Sequence, residues 1–599
     1  MVAVDTRFWT DRNGQISSEI IPYVERIKMA LNIDKDLRMP PNAREDGHIG
    51  IQGSSIPAVL FPTYAVCNKC GLLHNNPWRK REIRFTEKLK CDYNSCNGRL
   101  EQVTWCAVSN KGYLDDVPWH AICHIGENGN CRLDFDLNYL KLDIDDNGKK
   151  IVKCLRCGSS GYYDKARTRI INKEQPWIGQ SPKLAENDLV EILEVNNPGV
   201  YLPISCKALV IPPESRISKS TVIDQIYNNA KIRSEIDGIR NPLLRNGKLK
   251  LIATRYRCNV REVEDALDDI AHGYPFLDEI VSAGDILEDE YLAFLMPLDN
   301  LREDEDFVTE HKSKEWKNLS SNELSSQLST IIKLIDNLII ARRLRELLIF
   351  VGFQRGFEGE LKKKDERGNE KKILIERITV PPDIVGESDW LPSIELFGEG
   401  VFFTLNESFL SDWEVIPGVR QRADEIANRY EKTDLKVTMG CEEKEPIITA
   451  RFILLHTLSH LLIRELESTA GYPAASLAER IYCSKDRKMS GILIYTSVAD
   501  IAGSLGGIIE SAQPKEFLKI LAGTFLHAEW CSLDPVCSEH QGQGPGWLNR
   551  AACHACSLIP EPSCEYSNIF LDRVFIKGDE KLGIPRFLDF VMTFKSMKK

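Results

Sequence analysis

The 599-residue chain lacks the short motifs that usually announce an enzyme. There is no G-x-x-x-x-G-K-[ST] loop, so no backbone cradle for nucleotide phosphates is expected. The glycine-rich stretch GSLGG at 503–507 is missing the lysine such a loop needs. No G-x-S-x-G elbow, protein-kinase set or paired-carboxylate nuclease motif is present. The reading is therefore a protein that is not an enzyme and carries no ATPase site of its own. Long apolar runs are also missing. None approaches the roughly 20 residues of a membrane-spanning helix, and the N-terminal MVAVDTRFWTDRNG is charged and has no apolar signal core. These features predict a cytoplasmic protein with no membrane association. No repeat of fixed period and no low-complexity tract appears. The net charge of −11 argues against a simple nucleic-acid coat protein, though not against a local basic groove or a docking surface.

Cysteine, by contrast, is abundant: 18 residues, most of them in two clusters. In a reducing compartment, short paired spacings point to metal before disulfides. Cys67, Cys70, Cys91 and Cys96 form C-x2-C-x20-C-x4-C, a zinc-ribbon spacing in which two tight turns converge four thiolates on one tetrahedral ion. Cys154 and Cys157 form a second C-x2-C pair. Its partners are expected to be His124 and Cys131, with His120 and Cys123 as alternatives. A third set lies in WCSLDPVCSEHQGQGPGWLNRAACHACSLIPEPSCE (530–565). Here Cys553 and Cys556 make the knuckle, Cys564 is expected to join them, and Cys537 is expected to complete the site, with Cys531 as its alternative. A nucleophilic cysteine would need an activating base, for which only His540 and His554 lie close in sequence. The number of cysteines favours a closed structural site. Zinc is the expected cofactor, at two to three ions.

Two lookalikes read differently. His456 and His460 in HTLSH share one helix face at i, i+4, but a zinc-protease helix needs a glutamate where this chain has Thr457. The apolar surroundings favour buried, hydrogen-bonded histidines. LIATRYRCNVREVEDALDDI (251–270) has the rhythm of a helix-turn-helix, with Ala253 at a close-packing position and Arg255, Arg257 and Arg261 nearby. A plain helical hairpin is the preferred reading. Candidate nucleic-acid contacts are Arg79, Lys80, Arg81 and Arg84, which lie beside Trp78 and Phe85 in WRKREIRF. Cations interleaved with aromatics suit phosphate contact and base stacking. KARTRIINK (165–173) is a second basic stretch.

The predicted fold class is multidomain α+β: an N-terminal zinc-ribbon region, a mixed α/β middle and a mostly helical C-terminal zinc-binding module. Residues 1–56 read as an N-terminal arm and 57–175 as a double zinc-ribbon region. Residues 176–425 read as a mixed helical and strand region, and 426–599 as the C-terminal module. Within the middle, apolar residues at spacings of three and four over 319–353 predict a long helix or helical pair. The charged run 358–372 predicts a loop or hairpin tip. In the C-terminal part, 450–467 predicts a strongly apolar helix and GYPAASLAERIY the start of another. GILIYTSVADIAGSLGGII predicts a strand, a glycine-rich loop and a helix start.

The order of motifs carries a resemblance. Phe61 and Pro62 precede the first cysteine pair. Leu114, Asp115, Asp116, Pro118 and Trp119 follow, then the Cys154/Cys157 pair. HTLSHLLIRELE, GYPAASLAERIY and GILIYT come next, and WCSLDPVC, ACHAC, SCE and LDR close the series. This chain resembles the DrmB family of bacterial DISARM antiphage defence systems, and its C-terminal region resembles the helicase-associated zinc-binding domain of MrfA-type repair helicases. The resemblance implies a non-catalytic zinc-binding subunit of a DNA helicase or translocase complex. Its motor, a DrmA-type superfamily 2 helicase, would be a separate chain, and the complex would bind and recognise foreign DNA. Two other classes are weighed beside it: a metal-dependent nuclease or cysteine hydrolase using His456/His460 or the C-terminal cluster, and a stand-alone DNA-binding regulator using 251–270.

Overall fold

A computed structural model gives the protein as two compact units. It describes the chain apart from residues 1, 4, 10–19, 22–23, 42–55, 79–88, 126–130, 136, 172–187, 212–221, 228–231, 233–234, 237–238, 272–282, 297–305, 320–323, 365–369, 376, 434, 436–437, 440–441, 444–446, 485–486, 499–506 and 595–599.

The first unit comprises 1–20, 35–206 and 349–393. It is built mainly of small antiparallel sheets. Strand Tyr64–Cys67 is central between Leu73–Asn75 and Leu100–Gln102. Trp105–Ser109 lies between Val190–Glu194 and Leu114–Asp115 in a four-stranded sheet that also holds Arg167–Thr168. Lys150–Cys154 lies between Leu140–Ile144 and Ser160–Tyr162. Such small sheets bury little surface singly, so large side chains bridge them. Tyr163 meets Trp105 edge-to-face at 5.1 Å and Trp119 at 5.3 Å, a quadrupole-favoured arrangement. The charged run near 358–372 forms a hairpin, Gly359–Lys364 with Glu370–Ile375. Its tip lies outside the described residues.

The second unit comprises 21–34, 207–348 and 394–599. In it the later part of strand Trp390–Leu405 pairs antiparallel with Ser490–Val498, from Phe397↔Val498 to Thr404↔Gly491. Ala478–Cys483 adds on the far side of Ser490–Val498. Helix Ala450–Ala470 is the centre of the main core. Thr449 caps its N-terminus by accepting from the Phe452 N–H at 3.2 Å, and Gly471 ends it in a left-handed conformation at φ 72° that glycine adopts without strain. The helix is buried on every face, with Phe452, His456, Leu458, His460 and Leu462 at 2% exposure or less. That explains why its apolar pattern runs all round rather than in one stripe.

Two expectations are corrected. The 319–353 stretch is not a long helix. Ser325 caps a short one, Ser326–Leu334, and the chain then continues as strand Ile335–Arg355. Ile335, Leu338, Ile339, Ile340 and Ala341 are all within 1% of full burial. A strand covered on both faces gives a near-continuous apolar run, which periodicity alone cannot separate from a helix. GYPAASLAERIY likewise makes a 3-10 turn, Ala474–Ser476, and then strand Ala478–Cys483, because ladder pairing with Ser490–Val498 outweighs its helical propensity. The 251–270 segment spans two helices, Pro242–Tyr256 and Val260–Ala271. They are joined at Arg257 in the left-handed region at φ 53°, and Ala253, Tyr256 and Val263 pack inside with Ile226.

One buried ion pair of this unit joins Arg422 and Asp572. The Arg422 guanidinium makes two bonds to Asp572, one of them 3.0 Å from Nη2 to Oδ1, and both residues are buried. Removing one partner of such a pair leaves an uncompensated buried charge. Arg422→Ala should therefore destabilise the protein by about 3–5 kcal/mol, read from the denaturant midpoint. Arg422→Met combined with Asp572→Leu should recover much of that loss.

Candidate metal centres

Three groups of four ligand atoms lie where the cysteine-rich segments turn, and a fourth lies against the central helix. In each, the four atoms are within 4.8 Å of one another.

The first group is Cys67, Cys70, Cys91 and Cys96. Cys67 ends its strand, and the chain folds back so that the Gly71 N–H donates to the Cys67 carbonyl at 2.9 Å, with Gly71 at φ 72°. The second turn places Asn94, Ser95 and Asn97 in the left-handed region at φ 45°, 60° and 52°. The sulfurs of Cys67 and Cys96 are 3.7 Å apart, and those of Cys70 and Cys91 3.8 Å. Tetrahedral zinc with Zn–S bonds of about 2.3 Å sets its sulfurs about 3.8 Å apart. Four thiols that merely shared a core would have no reason to converge on that spacing. Gly98 has no room for a side chain: a Cβ there would collide with the Cys67 sulfur. Burial pushes the Cys67 thiol up, but hydrogen bonds from the Cys70 and Lys69 N–H groups outweigh it and bring it down to about 7. Burial pushes Cys91 up to about 12.

The second group is His124, Cys131, Cys154 and Cys157. His124 follows helix Trp119–Cys123, and its Nδ1 lies 2.7 Å from the His120 carbonyl oxygen. That carbonyl accepts a hydrogen bond, so the proton sits on Nδ1 and Nε2 keeps its lone pair. Nε2 lies 3.2 Å from the Cys157 sulfur, and the sulfurs of Cys131 and Cys154 are 3.8 Å apart. The hydrogen bonds of Ser159 hold the Cys157 thiol down to about 6. The alternatives face elsewhere. His120 Nδ1 meets the Tyr139 hydroxyl at 2.8 Å, and the Cys123 thiol donates to the Val152 and Ser159 carbonyls at 3.4 and 3.2 Å.

The third group differs from the expected set. It is Cys531, Cys537, Cys553 and Cys556, with sulfurs 3.6 Å apart for 531–553, 3.8 Å for 537–556 and 3.7 Å for 553–556. Cys531 and Cys537 are both present rather than alternatives, and Cys564 is not among them. His540 and His554 are exposed and stand outside the group. The irregular backbone here is held by arginines. Arg464 donates to the carbonyls of His554 and Leu558 at 3.2 and 3.0 Å and of Ala555 at 3.2 Å. Arg573, fully buried, donates to the Ala551 and Ala528 carbonyls, both at 3.0 Å, and to both carboxylate oxygens of Asp534.

The Cys564 sulfur instead lies 3.3 Å from Nε2 of both His456 and His460. Glu479, from strand Ala478–Cys483, brings Oε1 to 3.1 Å from His456 Nε2 and 3.3 Å from His460 Nε2. Burial pushes the His456 imidazole below its ordinary value. Sequence reasoning passed over Glu479, which has no ligand-like spacing to any neighbour. The signal available was the i, i+4 histidine pair.

The basic residues Arg79, Lys80, Arg81 and Arg84 lie outside the described residues. In the second basic stretch, Arg167 is engaged with Glu191 at 2.8 Å and sits 5.3 Å over the Phe357 ring, so it serves the fold. Among the described residues, no helix is long and apolar enough to cross a membrane.

Comparison with known proteins agrees with this geometry. Residues 1–202, which hold the first two groups, match a domain of unknown function, DUF8724. Residues 458–557, which hold the third, match the MrfA Zn-binding domain. The chain is 27% identical over 594 residues to the DISARM protein DrmB of Bacillus paralicheniformis, covering 96% of this chain and 95% of that protein. The chain is thus a homologue of a DISARM DrmB protein along nearly its whole length, with a zinc-binding domain of the MrfA type in its C-terminal part.

Proposed function

We propose that this chain is a non-catalytic, zinc-stabilised subunit of a bacterial antiphage defence complex. It works in the cytoplasm with a separate superfamily 2 helicase of the DrmA type, and supports the binding and recognition of foreign DNA by that complex. The observation that carries this reading is similarity over 96% of the chain to a DISARM DrmB protein, on a sequence with no nucleotide-phosphate loop.

In this reading the zinc ions are architectural. Cys67, Cys70, Cys91 and Cys96 hold one; His124, Cys131, Cys154 and Cys157 hold another; Cys531, Cys537, Cys553 and Cys556 hold a third. Each set supplies four protein ligands, which fills a tetrahedral ion and leaves no open position for substrate or activated water. That counts against the metal-dependent nuclease. His540 and His554 are exposed and outside the group of four sulfurs, so neither supplies the base that a nucleophilic cysteine of that group would need. Rigid zinc turns instead suit a scaffold that holds loops in fixed positions for a partner. Trp78, Arg79, Lys80, Arg81 and Arg84 lie in the sequence between the two cysteine pairs of the first group, and cations beside aromatics suit phosphate contact and base stacking.

Three outcomes test this. The purified chain should show no DNA-stimulated ATP hydrolysis alone, while a DrmA-type helicase co-expressed with it should co-purify with it and supply that activity. Robust hydrolysis by the chain alone would overturn the reading. Gly98→Ala should cost about one zinc ion per chain, measured by plasma mass spectrometry, because the added methyl group displaces the Cys67 sulfur. Charge reversal of Arg79, Lys80, Arg81 and Arg84 together should weaken DNA binding by the complex and flatten its salt dependence. The log–log slope should fall by about 0.9 per duplex phosphate contact removed, and an unchanged slope would remove these residues from the DNA path.

A further inference from the structure

We infer that His456, His460, Glu479 and Cys564 form a fourth metal site, taking a tetrahedral divalent ion of zinc's class inside the C-terminal unit. Two of its four ligands, His456 and Cys564, lie outside the 458–557 stretch that matches the MrfA Zn-binding domain. It is therefore a different centre from the Cys531/Cys537/Cys553/Cys556 group.

Geometry is the first argument. The four measured edges between the imidazole nitrogens and the carboxylate oxygen or sulfur are 3.1, 3.3, 3.3 and 3.3 Å. An ion bound at about 2.0–2.1 Å to N and O and about 2.3 Å to S sets such edges at about 3.3–3.6 Å. A hydrogen-bonded core pair would need only one such contact per histidine. Here both Nε2 atoms face the same oxygen and the same sulfur.

The surroundings are prepared in the way metal ligands require. His460 Nδ1 lies 2.9 Å from the Ser557 carbonyl oxygen, which fixes the proton there and leaves the Nε2 lone pair pointing inward. The Ser459 hydroxyl donates to Glu479 Oε2, holding the carboxylate so that Oε1 faces the histidines. The Cys564 sulfur accepts from the Tyr566 and Asn568 N–H groups at 3.3 and 3.2 Å. That pattern orients a thiolate, and it depends on a turn in which Ser567 and Asn568 are left-handed at φ 51° and 57°. Asn568 is itself clamped, with its side chain bonded to the Ile559 N–H and carbonyl at 3.0 and 2.9 Å.

Charge is the third argument. His456 and His460 are completely buried, and so is the Glu479 side chain. One carboxylate, one thiolate and two neutral imidazoles carry two negative charges, which a divalent ion cancels. A neutral assembly is what a buried position favours. With four protein ligands the ion has no open position, so the site is structural. It fastens helix Ala450–Ala470, strand Ala478–Cys483 and the segment after Pro562 to one point.

The test is anomalous scattering at the zinc edge from crystals of the full-length chain, together with the zinc content of wild type and of Cys564→Ser and Glu479→Gln. The expected result is an anomalous peak bounded by His456, His460, Glu479 and Cys564, distinct from those at the other three groups. Each variant should contain one ion fewer per chain than wild type and unfold at lower temperature. A wild-type map with peaks at the other groups and none here would overturn the inference, as would folded variants with unchanged zinc content. If the variants do not fold, the wild-type map alone decides. A negative result here leaves the helicase-partner reading intact, because that reading is judged by complex formation and ATP hydrolysis.

Discussion

Bringing four ligand atoms to one point forces the backbone out of regular structure, and every peptide group that leaves a ladder or a helix must find another partner. Much of the C-terminal unit is arranged around that constraint. Between Trp530 and Asp572 the described chain has only one-turn helical pieces, so its carbonyls turn to side chains. Arg464 serves three of them, and Arg573 serves one together with the Ala528 carbonyl just before the segment. Asn549 and Asn568 take more: Asn549 bonds the Asn568 carbonyl at 2.6 Å and the Leu571 N–H at 3.0 Å. Guanidinium groups suit the task because one planar fork can reach several carbonyls without losing its charge. The arginine of the LDR motif therefore holds the cysteine segment together, and its carboxylate partner Asp534 in turn accepts from the Cys531 N–H at 2.9 Å.

The central helix is the surface against which this irregular segment is fixed. Thr457, which disqualifies HTLSH as a protease motif, has its own part in the fold. Its hydroxyl donates to the Ile453 carbonyl at 2.7 Å and accepts from the Asp572 N–H at 2.9 Å. A glutamate there would put a charge into a position that is fully buried, at a cost of several kcal/mol. The same helix thus presents histidines on one side, a backbone anchor through Thr457, and an apolar surface elsewhere. Its function is to organise neighbours rather than to expose a reactive group.

What could be read in the sequence depended on sequence distance. Cys67/Cys70 and Cys91/Cys96 lie in turns whose spacing itself encodes convergence, and the knuckle Cys553/Cys556 is equally local. Cys564 could not be placed this way, because its histidine neighbours are 108 and 104 residues away. Sequence proximity groups it with the neighbouring cysteines, whereas the fold carries it to the helix. Glu479 sits mid-strand and differs in no local feature from other strand residues. The two segments whose structure differs from their sequence pattern, 319–353 and 471–482, do so for a related reason. Whether an apolar run becomes helix or strand is decided by partners far along the chain, and covered strands such as Ile335–Arg355 erase the alternation that would have identified them.

The separation between the central helix and Cys564 also sets an order of events on the ribosome. Domains fold as they emerge, N-terminal parts first, and the first two cysteine groups are complete once residue 157 is out. Helix Ala450–Ala470 finds only part of its cover in earlier sequence, from helices Glu407–Glu414 and Pro417–Tyr430. Its remaining faces wait for strand Ser490–Val498, helix Pro514–Glu529 and finally the stretch around Cys564 and Phe570, about a hundred residues later. For that interval the nascent chain carries a strongly apolar helix that is only partly covered. The all-round burial that makes this helix the keystone of the finished unit also leaves it in need of shielding while the protein is being made.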